Sequence, residues 1–351
     1  MLNISKSDLC EKLAIVKQVI NNKAQIEATR GALISNGRIV GTDITTFISA
    51  PIDTDESFIL PFKAIQMVEQ LPDGFIQISS EGRKITIKSE TITSRFSTFD
   101  AADFPAVPEI SEIEPVEIET EIFKTAIGNT ISLAKESTNN PAHGGICIKH
   151  GTDGVDFVTC DGVRLAKYTA DSLKNKIYCV VPRHAASIAL SVCGNSENVL
   201  IGATSKHLIL DIGNTRIITR ILGGQFLDYK RILNVERKKI KLDASELRDC
   251  ISRSVICCSE SMSPVKLEIG KNFMSIEADT IDGTYREKIL FEDTGEESPI
   301  RIGVNSVKFL ELLKKFSGDI TFEYTKPTEA IVIEKENFKA MILPVMLKSE
   351  G

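Results

Sequence analysis

The chain has 351 residues, of which 42% are hydrophobic and 26% are charged, and its formal net charge is −6. This length fits two to three domains, and the composition is typical of a globular chain rather than a disordered one. The sequence has no apolar run of the roughly 18 residues that a membrane span needs and no signal-peptide pattern, and its acidic balance argues against general nucleic-acid binding. We therefore expect a cytoplasmic protein.

The predicted elements begin with an amphipathic helix, followed by strands, a second helix and more strands. The apolar face of the first helix has the spacing i, i+4, i+7, i+11 and consists of Leu9, Leu13, Val16 and Ile20. Strands are predicted over 31–51, 58–60, 75–79, 84–88 and 92–99. The second helix is predicted to begin at Pro61, because proline suits a first helical turn.

The same order of elements occurs twice more along the chain. The corresponding helix faces are Phe123, Ile127, Thr130 and Ala134, then Leu247, Ile251, Ser254 and Cys258. Strands are predicted over 144–168, 178–181, 198–203, 207–212 and 215–222, and then over 265–291, 300–304, 319–324, 330–334 and 338–344. The second helices follow Pro182 and Asn305, and Asp243 with Glu246 and Asn305 are predicted to cap helix starts.

A repeat length of roughly 120 residues exceeds that of solenoid repeats and indicates whole domains. We predict three domains, at 1–118, 119–238 and 239–351, with linkers at 109–118 and 234–241. The fold class predicted is α+β, with two helices packed on antiparallel sheets in each domain.

The eight cysteines are interpreted as buried free thiols. The sequence has no CxxC pair, and Cys257 and Cys258 are adjacent. His143, Cys147 and His150 are candidate metal ligands, but strand alternation would place Cys147 and His150 on opposite faces, and a fourth ligand is missing. We therefore expect neither a metal nor a cofactor.

Five short segments, in order along the chain, resemble the bacterial DNA polymerase III β subunit, the sliding-clamp family. The segments are Phe104-Pro105 with Pro108, then 159–166, 181–183, 224–231 and 343–347. The resemblance covers essentially the whole chain. It implies a non-catalytic processivity factor: a head-to-tail homodimer that closes into a ring around duplex DNA, slides on it and tethers the replicative polymerase.

The family also implies a pocket between the second and third domains, which binds short apolar peptide motifs of polymerases, the clamp loader and repair proteins. Carried over by motif, the pocket residues are Cys160, Gly162, Val163, Arg164, Leu165, Leu227, Arg231, Ile232, Met262, Asn305, Met341, Leu343, Pro344 and Val345. Apolar walls with a few polar anchors suit a peptide groove. The chain departs from the family pattern at Val163, Leu227 and Met346, so the peptide preference stays open.

The resemblance gives two further sets of residues. A ring lining must tolerate phosphates without reading bases, and the basic candidates on the first helices are Lys12, Lys17, Lys124, Lys135, Arg248 and Arg253. The dimer interface is expected to bring Arg83, Arg95 and Phe96 of one copy against Ile256, Cys257 and Glu287 of the other.

Two alternatives remain at this point. Cys160 and Asp161, with His143, His150 or His184, could form a thiol nucleophile and base, but the sequence has no oxyanion-type glycine motif, P-loop or GxGxxG. The other alternative is a clamp-like scaffold that binds proteins and no DNA.

Overall fold

The computed structural model describes residues 1–110, 113–135, 140–174, 176–194, 196–258, 264–281, 283–292 and 298–347. The chain forms two compact units, Met1–Thr125 with Ile177–Gly223 and Ala126–Lys176 with Gly224–Gly351. The predicted division into three domains is a different partition of the same chain, and it stays a prediction.

Helices and strands follow the predicted order. The helices are α1 (Lys6–Val16), α2 (Phe62–Gln70), α3 (Thr120–Thr130), α4 (Arg183–Val192), α5 (Tyr229–Leu233), α6 (Ala244–Ile256) and α7 (Ser306–Leu313). Short 3₁₀ helices lie at Lys17–Val19, Glu27–Arg30, Ala101–Asp103, Ile131–Leu133 and Pro141–Gly144. The first strands are β1 (Leu2–Ser5), β2 (Gly31–Ser35), β3 (Arg38–Thr42), β4 (Thr46–Pro51), β5 (Phe58–Pro61), β6 (Phe75–Glu81), β7 (Lys84–Lys88), β8 (Thr93–Ser97) and β9 (Val116–Glu119).

The remaining strands complete the pattern of the second and third repeats. The middle strands are β10 (Gly145–His150), β11 (Val155–Cys160), β12 (Arg164–Ala170), β13 (Tyr178–Pro182), β14 (Asn198–Ala203), β15 (His207–Ile212) and β16 (Thr215–Arg220). The last strands are β17 (Lys238–Asp243), β18 (Pro264–Ile269), β19 (Phe273–Thr280), β20 (Gly283–Leu290), β21 (Ile300–Asn305), β22 (Asp319–Tyr324), β23 (Ile331–Lys335) and β24 (Phe338–Ile342).

The first unit contains two antiparallel sheets. One has the strand order β1-β6-β7-β8, and the other has the order β5-β2-β3-β4-β16-β15-β14-β9. In the longer sheet, β4 pairs with β16 in the register Thr46↔Thr219. Strands of the first and second repeats therefore share one hydrogen-bonded sheet, which the sequence did not predict.

The second unit repeats this arrangement. Within this unit the strands of a long sheet follow the order β10-β11-β12-β24-β23-β22-β17, and a four-stranded sheet has the order β20-β19-β18-β21. Here β12 pairs with β24 in the register Arg164↔Ile342, which joins the second and third repeats. The core of this unit includes Leu247 of α6 and Phe309 of α7, both fully buried.

The predicted helix faces are confirmed for most of their length. Leu9, Leu13 and Val16 of α1 are fully buried. The α-helix ends at Val16, however, and the 3₁₀ turn that follows brings Val19 into the core, while Ile20 is only half-buried. A 3₁₀ turn has three residues per turn, so the predicted spacing fails at this end.

Capping side chains fix several helix starts. Asp243 accepts hydrogen bonds from the backbone amides of Ser245 and Glu246, and Asn305 accepts one from the amide of Lys308. These caps confirm the predictions for Asp243 and Asn305. Pro61 and Pro182 lie one residue earlier than expected, at the N-cap, with extended ψ angles of 157° and 140°.

Three strands were missed, and each one directly precedes a first helix. In β1, β9 and β17 apolar residues alternate with exposed ones, as in Val116 and Ile118 of β9. The predicted linkers 109–118 and 234–241 were therefore wrong in part, because glutamates and lysines on the open face of these strands hid the alternation. No helix within the described residues is long and apolar enough to cross a membrane.

Candidate functional site

A tight turn between β11 and β12 lies at the centre of the predicted pocket. The carboxylate Oδ1 of Asp161 accepts hydrogen bonds from the amides of Val163 at 3.1 Å and Arg164 at 2.7 Å. The amide of Asp161 donates to the carbonyl of Arg164 at 3.1 Å. Gly162 has φ +85°, the left-handed conformation that glycine adopts without steric cost. The Asp-Gly pair therefore fixes the path of the chain here.

The Arg164 side chain lies beneath this turn and is only 1% exposed. Its Nε and Nη2 donate to Oδ2 of Asp161 at 3.0 and 2.8 Å. Its Nη1 donates to the carbonyl of Lys308 at 3.0 Å and to Oε2 of Glu311 at 2.5 Å. One guanidinium therefore ties the turn to α7.

The charge of Asp161 is stabilised by this geometry. Burial alone would raise the pKa of Asp161, but hydrogen bonds from the backbone amide and the guanidinium of Arg164 outweigh it and lower the pKa. The carboxylate is thus ionised and paired, which makes the turn a rigid element of the site.

The C-terminal segment 343–347 continues from β24 and crosses β21. The amide of Leu343 donates to the carbonyl of Val163 at 2.9 Å, and the amide of Val345 donates to that of Gly303 at 2.8 Å. A Cβ at Gly303 would lie 2.5 Å from the carbonyl oxygen of Val345. This close approach requires glycine, and it leaves Leu343 40% and Met346 87% exposed.

The loop before α5 and the helix itself carry the other predicted pocket residues. The hydroxyl of Tyr229 donates to Oδ2 of Asp156 at 2.8 Å, and Thr169 and Lys167 contact Oδ1 of Asp156 at 2.8 and 3.2 Å. Burial, followed by the hydrogen bond to Asp156, raises the pKa of Tyr229, so its hydroxyl keeps its proton. This buried network anchors α5 to β11.

The predicted pocket residues fall into two groups by exposure. Cys160, Arg164, Leu165, Asn305 and Met341 are buried. Gly162, Val163, Leu227, Arg231, Ile232, Leu343, Pro344 and Val345 are accessible to solvent. Met262 lies outside the described residues. Backbone hydrogen bonds join the segment 160–165 to 341–343, and they join Val345 to Gly303 in the segment 303–305. The role of each residue in binding stays a prediction.

The predicted pocket omitted three residues that shape this site, Asp161, Gly303 and Glu311, and Asp161 was considered only for the thiol-enzyme alternative. The Asp-Gly pair directly after a strand was the available signal for Asp161, since it is typical of a turn. Nothing local marks Gly303 or Glu311, because their roles depend on contacts with residues far away in the chain.

Of the residues predicted for the dimer interface, Arg83, Arg95 and Phe96 lie at one end of the four-stranded sheet of the first unit. Arg95 and Phe96 belong to β8, the edge strand of that sheet, and Arg83 lies in the turn before β7. Both arginines are exposed and Phe96 is half-buried. Beside them is an open cleft of about 660 Å³ lined by Arg83, Lys84 and Thr98.

The other predicted interface residues lie by β20, which is the edge strand of its sheet in the second unit. Ile256 is 82% exposed at the end of α6, and Cys257 follows it. Glu287 of β20 accepts hydrogen bonds from Nε and Nη2 of Arg253 at 2.9 and 2.7 Å and one from the Tyr285 hydroxyl. The hydrogen bond from Tyr285, together with those from Arg253, lowers the pKa of Glu287.

Most of the basic side chains predicted to face DNA lie beside carboxylates. The nitrogen-to-oxygen distances are 2.8 Å for Lys12–Asp8, 2.6 Å for Lys17–Glu69, 2.9 Å for Lys124–Glu121, 3.8 Å for Arg248–Asp249 and 2.7 Å for Arg253–Glu287. Lys135 is exposed. These pairs reduce the positive potential of the helices without removing it.

The family models and the known proteins with similar sequences point to the same family. Family models describe residues 117–228 as the central domain and 231–346 as the C-terminal domain of the DNA polymerase III β subunit. The β sliding clamp of Chlamydia pneumoniae is 23% identical over 332 residues, covering 90% of each chain, and that of Treponema pallidum is 23% identical over 353 residues, covering 93% of this chain and 94% of its own. Together the two models cover more than half of the chain. The chain belongs to the DNA polymerase III β-subunit family.

Solved structures show the same fold. The DNA polymerase III β subunit of Pseudomonas aeruginosa has a TM-score of 0.89 at 20% identity and covers 99% of each chain. That of Caulobacter crescentus has a TM-score of 0.88 at 19% identity, covering 99% of this chain and all of its own. These structures confirm the predicted α+β clamp fold. The family membership confirms the prediction of a sliding clamp that acts as a processivity factor.

The alternative of a thiol enzyme is not supported. Members of this family are non-catalytic processivity factors. Burial raises the pKa of the Cys160 thiol to about 11, so the sulfur lacks the thiolate character of a nucleophile. Within the ranges that the structure describes, no group of three or more His, Cys, Asp and Glu is placed to hold a metal ion.

Proposed function

We propose that two copies of this sliding clamp close head-to-tail into a ring around duplex DNA, with β8 of one copy beside β20 of the other. Both are edge strands, which present hydrogen-bonding groups suited to pairing with another chain. A head-to-tail contact uses two different surfaces, and a twofold arrangement closes it after two copies. In this proposal each copy contributes three domains, 1–118, 119–238 and 239–351, and the two copies together give the ring six domains.

The side chains near the two edges support this pairing. Ile256 and Leu290 are 82% and 75% exposed, and together with Phe96 they would supply an apolar centre. Arg83 and Arg95 would face the Glu287 side of the partner, so the charges are complementary. Exposed ion pairs contribute little on their own, and we assign most of the affinity to the apolar contacts.

The weak basic character of the predicted lining suits sliding. Each lysine or arginine paired with a carboxylate releases fewer counterions when it approaches a phosphate, so the contact is weaker and more mobile. We propose that Lys12, Lys17, Lys124, Lys135, Arg248 and Arg253 give sequence-independent contacts, and that topology rather than affinity retains the ring on DNA. The cytoplasm, where chromosomal DNA is replicated, is the proposed location.

We propose that the junction of β12 and β24 binds short peptide motifs of the replicative polymerase, the clamp loader and repair proteins. The observation that carries this proposal is the exposed apolar side chain of Leu343. The backbone amide of Leu343 donates to the carbonyl of Val163, which holds this residue next to the turn with the buried Arg164–Asp161 pair. A rigid floor with accessible apolar walls lowers the entropy cost of binding a peptide. Tethering then keeps the polymerase at a high local concentration near its template.

Fluorescence anisotropy with a labelled peptide that carries the clamp-binding motif of a replicative polymerase tests this site. We expect Leu343→Asp to weaken binding by about tenfold or more, because it places a charge on an apolar wall. Ile26→Asp is the matched control, since Ile26 has the same 40% exposure in the other unit. Equal affinities for the two variants would contradict the peptide site.

The ring is tested separately by negative-stain electron microscopy of the purified protein. A hollow six-lobed particle of two chains is expected. Solid particles, or monomers at concentrations where dimers should persist, would contradict ring closure and favour the scaffold that binds proteins and no DNA.

A further inference from the structure

The first unit contains a turn with the same hydrogen bonds as the turn at Asp161. Oδ1 of Asp43 accepts from the amides of Thr45 at 2.9 Å and Thr46 at 2.7 Å. The amide of Asp43 donates to the carbonyl of Thr46 at 3.2 Å. The residue at the place of Gly162 is Ile44, whose φ is +79°. The local structure of the proposed peptide site thus occurs twice in the chain.

The backbone of Ile44 is in an unfavourable conformation. A β-branched residue with positive φ is an outlier, and such strain persists only where the surrounding structure enforces it. The conformation leaves the Ile44 side chain 40% exposed at the tip of the turn, whereas glycine at the corresponding place has no side chain. The strain therefore presents an apolar group to solvent.

The strand pairing beside the turn is also repeated. The amide of Arg220 donates to the carbonyl of Thr45 at 3.0 Å, as the amide of Leu343 donates to the carbonyl of Val163 at 2.9 Å. Arg220 thus takes the place of Leu343. The junction of β4 and β16 therefore has a cation where the junction of β12 and β24 has an apolar side chain.

A cavity of about 190 Å³ lies at this junction. Its apolar walls include Ile44, Phe47, Pro105 and Pro108, and its polar side is formed by His207 and Arg220. This volume is below the roughly 300–1,000 Å³ of typical small-molecule sites, so it suits one large side chain rather than a whole cofactor. An apolar side chain that belongs to a longer segment fits this space.

The charges around the cavity favour an anionic neighbour for that side chain. Among the described residues, no carboxylate is within ion-pair distance of the exposed Arg220 guanidinium. The nearby carboxylate of Asp43 is already engaged, through Oδ1 by the turn amides and the Thr45 hydroxyl, and its Oδ2 lies 3.9 Å from His184. The exposed Lys206 adds a further positive charge next to His207.

We propose that the junction of β4 and β16 is a second peptide-binding site, which takes a partner segment with one large apolar side chain followed closely by an aspartate or glutamate. The apolar side chain enters the cavity, and the carboxylate pairs with Arg220. The inference that this junction binds a peptide rests on the proposed function of the junction of β12 and β24. The ligand differs, because the exposed Arg220 lies here at the place where the other junction has the apolar Leu343.

A random dodecapeptide library displayed on phage is the probe, selected on the full-length Leu343→Asp variant so that the other site is disabled. The expected product is a set of peptides with Leu, Phe or Met within two positions of Asp or Glu. Their affinities for the full-length protein are then measured by anisotropy. A selection that enriches no such pattern would overturn the proposal.

Two variants locate the binding. We expect Arg220→Gln to weaken the selected peptides about tenfold, because a charge-assisted hydrogen bond is lost, and Ala106→Trp to abolish binding by filling the cavity that the exposed Ala106 lines. Arg216→Gln is the matched control, since Arg216 is on the same strand but is paired with Asp211 at 2.7 Å. Equal effects of the Arg220 and Arg216 changes would refute the site.

The remaining outcomes separate this proposal from its alternatives. If a 30-base-pair duplex binds and displaces the peptides, and its binding is lost in Arg220→Gln, the rim is a phosphate contact and the peptide proposal fails. If Leu343→Asp leaves the affinity for a clamp-motif peptide unchanged, only the proposed function is contradicted. The second site is tested separately, by the affinity of the selected peptides for Arg220→Gln.

Discussion

Arg164 and Asp161 form an ion pair in which the guanidinium is 1% and the carboxylate 7% exposed. Two hydrogen bonds of 3.0 and 2.8 Å join them, and Glu311 adds a second carboxylate from α7. Arg164 is buried, so we infer that it supports the peptide site by holding the turn rather than by touching the peptide. This pair connects the stability of the second unit to the shape of the proposed peptide site.

Removing the arginine should destabilise the second unit. Arg164→Ala leaves Asp161 buried without its partner, and we expect a loss of about 3–5 kcal/mol in the free energy of unfolding. Urea denaturation followed by circular dichroism measures this loss. Arg231→Ala, at an exposed residue of α5, is the control and should change stability by less than about 0.5 kcal/mol. Similar losses for both variants would contradict the structural role of Arg164.

A double variant that also removes the Met341 side chain should bind peptides poorly under conditions in which it is folded. We expect Arg164→Ala combined with Met341→Ala to abolish binding of a clamp-motif peptide, because the turn and the strand beneath it both lose their packing. Fluorescence anisotropy at a temperature well below the unfolding midpoint of the double variant measures its affinity for the peptide. An affinity equal to that of the wild type would contradict our assignment of this pocket.

The ion pair predicts a particular pH dependence. The folded pKa of Asp161 is lowered below its unfolded value of about 3.9, so its contribution to stability is present above that pH and is lost as the pH falls through the folded pKa. The stability difference between the wild type and Asp161→Asn should therefore be constant near neutral pH and shrink below about pH 4. Urea melts at several pH values provide the comparison, and a gap that widens in acid would refute this account.

Gly303 should tolerate no larger residue without displacing the C-terminal segment. In Gly303→Val the new Cβ would overlap the carbonyl oxygen of Val345, 2.5 Å away, and Leu347 is 2.8 Å from the same position. We expect faster proteolysis of the segment 343–347 and weaker peptide binding, with little change in the first unit. Gly128→Val is the steric control, since a Cβ there meets nothing within 4 Å. Wild-type proteolysis of Gly303→Val would contradict the close approach.

Ring closure should depend on Ile256. Ile256→Asp places a charge in the proposed apolar centre of the interface, and we expect the dimer dissociation constant to rise by about tenfold or more. Sedimentation velocity over a range of concentrations measures it. Val235, which is 42% exposed in the loop after α5, provides the matched control variant Val235→Asp. An unchanged dimer dissociation constant in Ile256→Asp would show that Ile256 is not part of the interface.

The sequence predicted the elements better than their connections. Strands such as β7, β14, β15 and β22 were predicted with their observed bounds, because apolar alternation and turn glycines are local signals. The pairings of β4 with β16 and of β12 with β24 join strands about 170 residues apart, and no local pattern encodes them. The burial of Arg164 was missed for the same reason, since an arginine is usually exposed unless a distant partner receives it.

The position of β24 has a consequence for synthesis on the ribosome. β24 is the last strand along the described part of the chain, yet it lies inside its sheet between β12 and β23, whereas the long sheet of the first unit is complete once β16 ends at Arg220. At about 5–20 residues per second, the roughly 120 residues between the ends of β16 and β24 take on the order of 6–24 s to translate. During that interval the edge of β12 is unpaired, because β24 has not been made. A nascent chain truncated before residue 338 would leave this edge open to chaperones or to other chains.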